Sequence, residues 1–127
     1  MSTIFTKIIN GEIPSYKIYE DAYSFAFLDI NPMQEGHTLV VSKKEIDYLF
    51  DLENEDYKNL LDSSRKVAKI LKDKLGSKRI CLVVEGYAIP HAHIHLIPTN
   101  SAEDFDKKHV HKATEDELEE TYRKIVS

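Results

Sequence analysis

The chain of 127 residues carries 17 basic and 22 acidic side chains, a formal net charge of −5 with histidine neutral, and 42% hydrophobic residues. That is length for one domain rather than two, with a composition ordinary for a globular protein and enough chain to bury about two-thirds of its unfolded surface without staples. The acidic balance, with no dense basic stripe, argues against a nucleic-acid binder, and no apolar run approaches the roughly 18 residues of a membrane span.

The segment Met1-Ser2-Thr3-Ile4-Phe5-Thr6-Lys7 lacks the basic-then-apolar order of a secretory signal, so a cytoplasmic protein is expected. Ile4 to Asn10 read as a short helix, with Ser2 or Thr3 as cap and Gly11 as stop. Tyr16–Glu20 and Ser24–Leu28 are β-branched or aromatic runs around Asp21-Ala22-Tyr23, the pattern of an antiparallel hairpin. Turn chemistry at Asp29–Pro32 and Glu35-Gly36 precedes a strand at His37–Val41. The longest helix is predicted from near Asn54 to Gly76, with Tyr57, Leu60, Leu61, Ser64, Ala68, Leu71 and Leu75 as its core stripe. Strands follow at Ile80–Val84 and His91–Ile97, and Thr114-x-x-Glu117 is a capping box opening a last helix towards Ile125. Antiparallel strands with helices between them predict an α+β fold.

Cys81 is the one cysteine. It cannot form an internal disulfide or a paired-cysteine zinc site, and in the run Ile80–Val84 it reads as a buried small hydrophobe in a reducing compartment.

The chemistry is concentrated in His91-Ala92-His93-Ile94-His95-Leu96-Ile97. On a strand, alternate side chains share a face, which places the three imidazoles on one side and Ala92, Ile94 and Leu96 on the other. A metal site is one use for such a cluster, with His37, Asp29 or Glu85 as further ligands. Covalent catalysis at phosphorus is another. Neutral imidazole is a nucleophile near pH 7, its neighbours can fix its tautomer, and imidazole N–H groups can stabilise phosphoryl charge.

His91-x-His93-x-His95 followed by two apolar residues resembles the signature of the histidine triad (HIT) family. The segments Ile4-Phe5-x-Lys7-Ile8-Ile9-x-Gly11-Glu12-Ile13-Pro14, Ala26-Phe27-Leu28-Asp29-Ile30-x-Pro32 and Gly36-His37-Thr38-Leu39-Val40 carry the resemblance over about residues 4–98. It implies a single HIT domain over residues 1–127, with a variable extension from about 100 that helps set substrate preference. It implies a homodimer whose sheets join, and an enzyme like an adenosine 5′-monophosphoramidase. His93 would be the nucleophile that forms a nucleotidyl-histidine, His95 would contact the α-phosphate, and His91 and His37 would complete the cluster. Asp29 would hold the ribose hydroxyls, with Ile4, Phe5, Ile8, Phe27, Ile30 and Leu39 lining a purine pocket. No cofactor and no resident metal are implied. The alternatives are a catalytically weak nucleotide-binding module and a dinucleoside polyphosphate hydrolase.

Two segments depart from the family pattern. In Val84-Glu85-Gly86-Tyr87-Ala88-Ile89-Pro90, Tyr87 stands where the family carries Gln, Ala88 replaces a hydroxyl and Val84 replaces a common Asn. Phosphate donors would then come from backbone N–H groups near Gly86. Ser42-Lys43-Lys44-Glu45 replaces a Pro-Lys-x-His pattern and is read as peripheral to the triad. His109 and His111 read as solvated, and Glu85 as a strand-end acid.

Overall fold

A computed structural model describes residues 2–127. Five antiparallel strands, β1 (Lys17–Glu20), β2 (Ser24–Leu28), β3 (Thr38–Ser42), β4 (Arg79–Val83) and β5 (His93–Thr99), stand in the order β1-β2-β3-β5-β4. Helix α1 (Ile4–Ile9) opens the chain, α2 (Asn54–Leu75) connects β3 to β4, and α3 (Glu115–Val126) closes it. The architecture is the α+β arrangement expected.

Local chemistry sets the element ends. The Thr3 side chain caps α1 by accepting the Thr6 N–H, and Thr114 and Glu117 form both bonds of the predicted capping box of α3. Gly76 ends α2 in the left-handed region at φ 70°. Gly36 is required twice over. Its φ is +89°, and a Cβ there would meet Leu75 Cδ1 at 2.3 Å.

The sheet has two unlike faces. Ala26, Leu28, Val40, Ile94 and Leu96 form the main core with Leu60, Val67 and Leu71 of α2 and Leu118 and Ile125 of α3. Phe25, Phe27, Leu39 and Val41 point the other way and are covered by Phe5 and Ile8 of α1. The α2 stripe is shifted slightly from the expected one. Ser63, Val67, Leu60, Ser64 and Leu71 are buried, whereas Tyr57, Leu61, Ala68 and Leu75 sit at the margin.

Two expectations need correction. Cys81 is only half-buried, because β4 lies at the sheet edge with β5 as its one neighbour. For the same reason Leu82 of that apolar run is 52% exposed. The last strand begins at His93, not His91. Pairing with β3 ends where Val41 meets His93, and His91 lies in the turn before it, its N–H donating to the Ile89 carbonyl at 2.8 Å.

Candidate active site

Register brings the imidazoles together. Leu39 is opposite His95 and Val41 opposite His93, so these two histidines stand on the α1 side of the sheet, as strand alternation requires. His91 reaches the same side from its turn. The Phe5 ring meets His91 and His93 edge-on, with centroids 5.7 and 5.0 Å away. His37, just before β3, packs against His95 at 5.2 Å between ring centroids. His37, His91 and His93 are buried, and His95 is half-buried.

Hydrogen bonds fix the proton on each ring in the neutral state. His93 Nδ1 is 2.6 Å from the His91 carbonyl. A carbonyl only accepts, so Nδ1 carries the hydrogen and Nε2 keeps its lone pair. His91 Nε2 is 2.6 Å from the Ser42 carbonyl, which places its hydrogen on Nε2 and leaves Nδ1 to accept from the Thr3 hydroxyl at 2.6 Å. The Met33 N–H donates to His37 Nδ1 at 2.9 Å. His37 therefore donates through Nε2 to His95 Nδ1 at 3.0 Å, and the His95 hydrogen falls on Nε2. The cluster offers one imidazole lone pair, on His93, beside one N–H donor, on His95.

Burial favours the uncharged forms of His37, His91 and His95. Desolvation pushes His37 and His95 down to about 4 and depresses His91 as well. Burial also lifts the Asp29 carboxyl above its ordinary range, partly offset by the Asn31 N–H.

Asp29 sits both in the turn and beside the histidine cluster. Oδ1 accepts the Asn31 N–H at 2.8 Å, the turn role, and Oδ2 lies 3.6 Å from His37 Nε2. Asp29, His37 and His95 each offer a ligand atom, all within 4.8 Å of one another. A cation bound through His37 Nε2 would force the hydrogen onto Nδ1, against the Met33 N–H that already points there, and this counts against a resident metal.

Of the pocket residues, Phe5, Ile8, Phe27 and Leu39 are buried together, while Ile4 and Ile30 are 48% and 56% exposed. A cavity of about 240 Å³ opens beside Asp29 and His37 and is walled by Glu117 and Thr121 of α3. The chain's last segment thus borders the cluster, and the Ala113 N–H is bonded to the Ile30 carbonyl at 3.0 Å.

In the altered loop, Tyr87 is 92% exposed and its N–H turns to Glu85 Oε1 at 3.3 Å. Glu85 and His111 are exposed and His109 is half-buried.

The HIT domain model matches residues 10–102. The chain belongs to the HIT family. A HIT-like protein of Methanocaldococcus jannaschii is 43% identical over 100 residues, covering 75% of this chain and 77% of that one. An adenosine 5′-monophosphoramidase of Candida albicans is 33% identical over 143 residues, covering 92% and 91%. The crystal structure of a HIT-like protein from Bartonella henselae, described as involved in cell-cycle regulation, superimposes with a TM-score of 0.87 at 32% identity over 98% of this chain and 93% of that one.

Against the HIT framework, the sequence reading missed the groups that hold the histidines: the Met33 N–H, the Thr3 hydroxyl and the Ser42 carbonyl. The segment Ser42–Glu45, expected to be peripheral, touches the triad through the Ser42 carbonyl, which is bonded to the first histidine of the motif. Its signal in the sequence was weak, because backbone groups have no residue signature and Thr3 and His91 are 88 positions apart.

Proposed function

We propose that this HIT protein hydrolyses nucleoside phosphoramidates or related nucleotide conjugates at the α-phosphate through a covalent intermediate on His93, in the manner of an adenosine 5′-monophosphoramidase. The observation that carries this reading is the bond from His93 Nδ1 to the His91 carbonyl, which leaves Nε2 as a nucleophile before substrate arrives. His93 Nε2 attacks the α-phosphorus and the bond to the amine breaks, the amine leaving with a proton from solvent. Water then cleaves the nucleotidyl-histidine and releases a nucleoside monophosphate. The N–H on His95 Nε2 donates to the phosphoryl oxygens as charge develops. Asp29 holds the ribose hydroxyls, and Ile4, Phe5, Ile8, Phe27, Ile30 and Leu39 take the base. The relative from Candida albicans, named for this activity, supports the assignment.

The reading includes a homodimer. The exposed apolar side chains Leu82 and Val84 on and beside edge strand β4 support an assembly, and sedimentation at the mass of one chain would contradict it. Among the described residues no helix is long and apolar enough to cross a membrane.

The test is turnover of adenosine 5′-phosphoramidate by wild type and His93→Ala, each with and without EDTA. Hydrolysis by the wild type alone, insensitive to chelator, is expected. Tight binding of AMP with no hydrolysis of any phosphoramidate would make the protein a nucleotide-binding module instead.

A further inference from the structure

The residues behind His91 form a closed set of hydrogen bonds that the reaction above does not use directly. Segment 42–46 grips the approach to β5 at three points. The Ser42 carbonyl takes the His91 Nε2–H at 2.6 Å, the Ser42 N–H donates to the Ala92 carbonyl at 3.1 Å, and the Ala92 N–H donates to the Ile46 carbonyl at 2.7 Å. The other nitrogen of His91 is held from α1 by the Thr3 hydroxyl.

Glu45 then ties α1 to segment 42–46. Its Oε1 accepts the Thr3 N–H at 3.0 Å and the Thr6 hydroxyl. Every proton has one destination. Thr3 Oγ1 accepts the Thr6 N–H at 3.2 Å as the helix cap, and with the Thr6 proton committed to Glu45, the Thr3 proton is left for His91. The same two Thr bonds hold the Glu45 carboxyl below its ordinary range, so it stays an acceptor. Since the His91 carbonyl is the group that orients His93, displacement of His91 is displacement of His93.

We infer that Thr3 and Glu45 are positioning residues, a clamp between α1 and segment 42–46 that seats His91 and thereby aims His93 Nε2. The inference rests on the hydrolase reading for its kinetic consequence but not for its structural one. On the hydrolase reading neither residue contacts the substrate itself, so loss of the clamp acts first on kcat, and KM rises only as far as α1, which carries Ile4, Phe5 and Ile8, moves with it. A hydrogen bond of ordinary strength corresponds to about tenfold in rate.

The experiment measures kcat and KM on adenosine 5′-phosphoramidate, together with the ¹⁵N resonances of the histidine rings in the protein without substrate. Thr3→Val, which also removes the α1 cap, is expected to lower kcat about tenfold and to move the His91 Nδ1 resonance towards that of an unbonded acceptor nitrogen. Glu45→Ala, at an exposed position where folding is not at stake, is expected to lower kcat about threefold in the same pattern. Thr3→Ser and Glu45→Gln, which keep the donor and the acceptor, restore kcat. Wild-type kcat and an unmoved His91 resonance in both Thr3→Val and Glu45→Ala would overturn the clamp. If the wild-type protein proved inactive on phosphoramidates, the hydrolase reading would fail, while the His91 resonance would still decide the clamp.

Discussion

Two pairs of histidines share one side of the sheet and are wired in opposite ways. His91 and His93 donate to backbone carbonyls, of Ser42 and His91 respectively. His37 and His95 are bonded to each other, with Asp29 at 3.6 Å. Wiring to carbonyls exposes a lone pair on the last ring of the chain, His93. Wiring that begins at a backbone N–H, on Met33, exposes a hydrogen on the last ring, His95. The same side chain thus presents a lone pair or a hydrogen according to whether the backbone group behind it accepts or donates.

The largest expected break in this contrast is loss of the lone pair. His93→Gln keeps polarity but has no nucleophilic nitrogen, and its phosphoramidase kcat is expected to fall by at least about 10³-fold, roughly 4 kcal/mol in the barrier. Activity within tenfold of wild type would remove His93 from the chemistry.

Acid should strain the second pair. His37 and His95, held at about 4 in the fold, take up protons in the unfolded chain near 6.5, so the unfolded state binds more protons between those values. Stability is therefore full above about pH 6.5 and falls as pH drops towards 4, by up to about 3 kcal/mol for His37 alone. The raised Asp29 works in the opposite sense. Urea titrations at pH 7 and pH 4.5 check the sign, and His37→Phe should flatten the slope.

Gly36 places His37 at the start of β3, and Gly36→Ala brings both the positive φ and the contact with Leu75. A loss of about 2–3 kcal/mol is expected in thermal or urea unfolding. The smallest effect sharpens the contrast. His37→Phe retains bulk but removes the donor to His95 Nδ1, freeing His95 to carry its hydrogen on either nitrogen, and should lower kcat about tenfold with little change in affinity for AMP.

Much of this was legible in the sequence, for physical reasons that can be named. Alternation along β5 put His93 and His95 on one face and Ile94 and Leu96 in the core, because a strand has no other way to bury its apolar half. Thr114 and Glu117 marked α3 because a capping box is a local interaction three residues long. The start of β5 was misread by two residues, since the pattern continues to His91 while the pairing ends with β3, a tertiary fact. Cys81 looked buried because apolar composition does not say which strand lies at an edge. Glu45 was passed over because the segment Ser42–Glu45 is read as peripheral to the triad, and its partners Thr3 and Thr6 are about forty positions away in the chain.

The central claim is that His93 Nε2 forms a bond to phosphorus, and the direct test is to trap it. Wild-type protein is mixed with adenosine 5′-phosphoramidate, quenched within milliseconds under alkaline denaturing conditions that spare a phosphorus–nitrogen bond, and analysed by intact-protein and peptide mass spectrometry. An adenylate adduct on the peptide bearing His93, absent from His93→Gln, is the predicted result. Turnover without any adduct under conditions of substrate excess, or an adduct on His95 or His37, would contradict it.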